Sequence, residues 1–137
     1  MRVDPRDPMI ASMIRSIRVV ALALSLTLLI SFPAQAVDPV ERRGDCVNGP
    51  GEWRLVVQSE GPGTLRVRFE LKDVVSGQTW QLFLSDDGVG IFSGTKVADD
   101  GDLRVRNLTA DRAGRDRISA SAVNMDSGST CGGSLRF

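Results

Sequence analysis

Two cysteines, fifteen arginines against two lysines, and no histidine or tyrosine define the chemistry open to this chain of 137 residues. Without histidine there is no Ser-His-Asp or Cys-His relay and no imidazole for zinc, and without tyrosine no phenolate nucleophile. Cysteine, carboxylate and guanidinium remain. Cys46 and Cys131 stand 85 residues apart, far from the Cys-x-x-Cys spacing of a redox site. They are expected to form a structural disulfide, which outside the cell would stabilise by about 4 kcal/mol through the long loop it closes. The carboxylates are less eloquent. Glycoside hydrolysis needs two of them at a set separation, but Glu41, Glu52, Glu60 and Glu70 mark no apolar pocket. Asp73, the Asp99-Asp100-Asp102 group and Asp126 fall at turns expected to share one end of the fold, where oxygens could converge on calcium. EF-hand spacing is absent, and Asp-Gly is ordinary hairpin chemistry, so no metal or cofactor is expected.

The arginines depend on the strands that carry them. Trp53, Leu55 and Val57 alternate with Glu52, Arg54, Val56 and Gln58. Leu65, Val67, Phe69 and Leu71 alternate with Arg66, Arg68, Glu70 and Lys72, and Leu103, Val105 and Leu108 are interleaved with Arg104 and Arg106. Successive side chains of a strand point to opposite faces, so burying the apolar set sends Arg54, Arg66, Arg68, Arg104 and Arg106 outward. Further runs contain Trp80, Leu82 and Leu84, then Val89 to Val97, then Ile118, Ala120 and Ala122, then a close at Leu135-Arg136-Phe137. Turn signals such as Gly61-Pro62-Gly63, Asp86-Asp87-Gly88 and Asp126-Ser127-Gly128 separate them.

This pattern predicts a seven-stranded antiparallel immunoglobulin-like β-sandwich over residues 52–137, after a linker at 37–51. Its expected core contains Trp53, Val67, Phe69, Trp80, Leu82, Leu84, Ile118 and Leu135. In an immunoglobulin-like order the first, second and fifth strands are neighbours, and the five arginines share one face. That face is either a polyanion platform or a solvated surface that resists aggregation, with Glu70 partly neutralising it. Gln81, Phe83, Ser119, Ser121, Val123 and Ser134 should face out from the other sheet. Phe83 and Val123 would be the apolar points of a protein-contact face.

Residues 1–36 read as an address. Arg15 and Arg18 precede the uncharged run Val19 to Phe32, and Ala34-x-Ala36 offers a signal-peptidase site. The run is too short for the ~20 residues of a membrane span, so a cleaved Sec-type signal peptide is expected. The chain carries 17 basic and 17 acidic residues. That balance gives no reason to expect specific nucleic-acid binding. Arg43-Gly44-Asp45 spells an integrin-type tripeptide, and Asn107-Leu108-Thr109 a glycosylation sequon; short matches of this kind read better as linker and strand.

Cys46, Trp53-Arg54-Leu55, Val67-Arg68-Phe69-Glu70-Leu71, Gly77-Gln78-Thr79-Trp80 and Asn124 through Gly128 to Cys131 make the chain similar to a family of small exported single-disulfide β-sandwich proteins of actinobacterial type. The resemblance spans residues 46 to 137. It implies export and a sandwich fold, and no assigned activity. The expectation is a secreted or surface-retained, non-catalytic binding or structural module. Its partner would be an anionic cell-envelope polymer or another surface protein, and the mature chain would hold no membrane span. The competing class is a secreted carboxylate-dependent hydrolase of envelope glycans.

Overall fold

A computed structural model of the chain describes residues 37–137. The expected signal peptide lies outside the described residues. Among the described residues eight strands form, not seven: β1 (Val40–Asp45), β2 (Glu52–Ser59), β3 (Thr64–Lys72), β4 (Thr79–Asp86), β5 (Val89–Val97), β6 (Leu103–Ala110), β7 (Arg117–Asn124) and β8 (Thr130–Arg136). They make two antiparallel four-stranded sheets, ordered β1-β2-β3-β6 and β5-β4-β7-β8. Among the described residues there is no helix long and apolar enough to cross a membrane.

The additional strand lies in the stretch expected to be a linker. Val-Glu-Arg-Arg-Gly-Asp has no apolar alternation, yet all six residues pair with β2, from Val40 opposite Val57 to Asp45 opposite Glu52. An edge strand needs backbone partners on one side only, so a charged sequence can complete a sheet without a core face.

The expected inward set is buried, and Leu55, Val57, Leu65, Leu71, Leu103 and Val105 join it. Leu108 is the exception. It is exposed beside the arginines, because Leu103, Val105 and Asn107 share one phase of β6 while Arg104, Arg106 and Leu108 share the other. Asn107 donates from Nδ2 to the Ile91 carbonyl, bridging β6 to β5 at one lateral seam. Its side chain therefore serves the fold.

At the other seam β1 meets β8. Cys46 and Cys131 are joined there, with Cα atoms 4.3 Å apart. Beside them Val47 and Thr130 exchange backbone hydrogen bonds of 2.7 and 3.0 Å. The Trp53 indole fills the space between Gly44 of β1 and Gly133 of β8, where an added Cβ would collide with the ring from either strand. Gly133→Ala should therefore destabilise by about 1–3 kcal/mol through overpacking. A denaturant midpoint equal to wild type would contradict that packing.

Candidate anion-binding face

The pairing of β1, β2, β3 and β6 arranges the charged side chains in rows. Arg43, Arg54, Glu70 and Arg104 lie opposite one another across the four strands, and Glu41, Val56, Arg68 and Arg106 form the next row. Arg66 follows, between Gln58 and Leu108. All five arginines expected on this face are on it.

Their charges are mostly answered from within. Glu41 accepts from Arg54 through Nε at 2.9 Å and Nη2 at 2.5 Å, while its other oxygen accepts from Arg43 at 2.9 and 2.6 Å. The Arg54 and Arg43 hydrogen bonds hold the Glu41 carboxyl below its ordinary range, and Glu41 in turn raises Arg54. A lowered carboxyl contributes stability that is complete above its unfolded value and is lost as the pH falls through the folded one. Because the group is exposed, that contribution is small. Arg66 pairs with Glu60. Glu70, buried in the centre of the face, lies 2.6 Å from Arg104 and 3.3 Å from Arg68. The Arg68 contact is close enough to pair by charge, but it is not aligned as a hydrogen bond.

Arg106 differs from the rest. Among the described residues no carboxylate comes within 4.0 Å of it, although it faces Arg68 directly across β3 and β6. Like charges directly opposite on a sheet repel. A shallow depression of about 440 Å³ lies alongside, lined by Glu60, Arg66, Arg106, Asn107 and Leu108. It combines two guanidinium groups with an exposed leucine floor, and its only acidic lining residue is already paired to Arg66.

The other sheet's outer face is part exposed and part half-buried. Gln81, Ser121 and Val123 are exposed, Ser119 and Ser134 half-buried, and Phe83 and Val123 keep 48% and 44% of their surface. The acidic turns at the other end of the strands are occupied by backbone structure. Asp99 and Asp102 exchange two backbone hydrogen bonds, and the Asp126 carboxylate accepts from the Thr79 amide at 2.7 Å. Arg43-Gly44-Asp45 is strand β1 rather than a mobile loop, with Arg43 tied to Glu41. Glu41 and Arg43 thus belong to the charged face, a role hidden by the apparent linker composition.

No family model, curated protein or solved structure matches the chain.

Proposed function

We propose that this protein is an exported, surface-retained binding module of immunoglobulin-like type, without catalytic activity, whose β1-β2-β3-β6 face takes an anionic cell-envelope polymer. The neighbouring of β2, β3 and β6 in one sheet and of β4, β7 and β8 in the other supports the immunoglobulin-like assignment. The observation carrying the function is Arg106: opposed to Arg68, lacking a carboxylate partner among the described residues, and beside the Arg66 depression. Phosphate or carboxylate groups of a polymer would complete bidentate pairs there. The two indoles are buried, so they do not offer sugar platforms. Glu41, Glu60 and Glu70 are each engaged by arginine, a poor setting for a general acid.

The ion pairs decide which substitutions test this. Neutralising all five arginines would strip the buried Glu70 of Arg68 and Arg104 and destabilise the sheet. Arg66→Gln with Arg106→Gln avoids that, since the Arg66–Glu60 pair is a surface pair worth at most about 1 kcal/mol. The double variant should fold normally and lose most binding to isolated envelope at low salt. Wild-type binding should weaken as salt shortens the screening length toward about 8 Å. Glu70→Gln is expected to do the reverse, releasing two arginines and tightening binding at a cost in stability, because the buried Arg68 Nε then loses its counter-charge.

Equal binding by the double variant and wild type would defeat the platform. The Phe83/Val123 face would then be the better candidate, tested by Phe83→Asp. Release of an envelope glycan fragment, abolished by replacing one glutamate, would establish the hydrolase instead.

A further inference from the structure

The end of the sandwich bearing the β4–β5 and β6–β7 connections holds an arrangement unrelated to the arginine face. Asp86 closes β4, Asp87 opens the two-residue hairpin, and Asp116 precedes β7. One carboxylate oxygen from each lies within 4.8 Å of the others. Asp86 is 0% and Asp116 1% exposed, whereas Asp87 reaches solvent. Of Asp86, Oδ2 accepts from the Thr109 hydroxyl at 2.7 Å, but Oδ1 is fully buried and has no hydrogen-bond partner. Asp116 Oδ2 accepts from the Arg112 amide at 3.2 Å, and Asp87 Oδ1 from the Arg117 amide at 3.0 Å. The nearest basic side chain among the described residues is Arg112, whose Nη1 is 3.9 Å from Asp87 Oδ2; it answers neither buried acid.

Two buried carboxylates beside a third lack a counter-charge, and buried charges are normally either paired or bound to a metal. We propose that Asp86, Asp87 and Asp116 bind a hard divalent cation, Ca²⁺. Oxygens at about 2.4 Å from one ion can lie up to about 4.8 Å apart across it, and calcium accepts irregular sets of six to eight oxygens completed by water. Asp86 Oδ1 is the atom the ion would satisfy. Thr109, holding the other oxygen, fixes the carboxylate's orientation from the facing sheet. The depression lined by Ser85, Asp87, Gly88, Arg117 and Ser119 gives Asp87 its access to solvent. Mg²⁺, which demands a near-ideal octahedron and gives up water reluctantly, should bind more weakly.

The test is a thermal melt of the exported domain after chelation, titrated with calcium chloride and separately with magnesium chloride, alongside calorimetry for stoichiometry. One Ca²⁺ per chain and a rise in melting temperature of about 5 °C or more at saturation are expected. Asp87→Asn suits the left-handed turn position, φ 48°, and can still accept from the Arg117 amide. It should weaken the calcium midpoint at least tenfold. Asp116→Asn should do the same if Asp87→Asn folds poorly. Asp100→Asn, at a left-handed position at the far end, should leave the midpoint unchanged. No binding and no shift, an Asp87→Asn response equal to wild type, or a loss seen only with Asp100→Asn would each overturn the site.

Discussion

Trp80→Ala should lower the unfolding free energy by about 3–5 kcal/mol, a large share of the roughly 5–15 kcal/mol that holds a domain of this size folded. The indole is 1% exposed, on the core-facing side of the β5-β4-β7-β8 sheet, with Lys96 and Asn124 opposite it on the neighbouring strands. Truncation opens a cavity that flanking strands cannot close without breaking their ladders. The ring carries one imperfection: Nε1 is buried without a partner. Trp80→Phe removes that orphan donor while keeping most of the packing, so it should destabilise much less than alanine. Urea unfolding followed by far-ultraviolet circular dichroism separates the three proteins. An alanine variant with the wild-type midpoint would put the ring at the surface and revive it as a sugar platform.

Replacing both cysteines by serine should cost about 4 kcal/mol through the unfolded chain alone. The location of the bond adds a local effect. β1 pairs in the sheet with β2 alone, and it is tied toward β8 by Cys46, the Val47–Thr130 bridge and an Arg42 hydrogen bond to the Ser134 carbonyl. Without the disulfide, β1 should open before the rest of the sheet, exposing Trp53 from the Gly44 side. Hydrogen exchange would register this as early loss of protection in Arg42 to Asp45 while β3 and β4 stay protected. Two alkylatable thiols in protein recovered from outside the cell would refute the bond, and uniform exchange across β1 and β3 would refute its local role.

Most of the strands and nearly all of the core were legible as period-two alternation, because each turns one face toward the opposite sheet; β5, which buries no residue fully, was legible only as the run between two Asp-Gly turns. β1 was not, since a strand held at its edge by backbone pairing, a disulfide and a glycine against Trp53 leaves no hydrophobic rhythm. Leu108 was misassigned for a related reason. Counting apolar residues placed it inward, but the phase of β6 runs through Asn107, whose amide closes the seam with β5. The arginine face and its partial neutralisation by Glu70 followed from alternation, but the pairing did not: Glu70 buried between Arg68 and Arg104 depends on the β3–β6 register. The Asp86, Asp87 and Asp116 group was hidden in two ways. Its members lie about thirty residues apart, and Asp-Asp-Gly has a sufficient explanation as a turn, with Asp87 and Gly88 at φ 48° and 84°.

The seam between β1 and β8 also determines how the domain carries tension. A pull on Val37 and Phe137 meets the Cys46–Cys131 bond after a few residues at either end, and the load crosses there from one strand to the other. Strands β2 to β7 lie within the closed loop, outside the load path. At about 3.5 Å per residue, segments 37–45 and 132–137 can lengthen to roughly 50 Å before the covalent link is taut. Reduction would release close to 300 Å of stored chain on the same arithmetic. Oxidised, the domain is a short, nearly inextensible link; reduced, it is a reserve of slack.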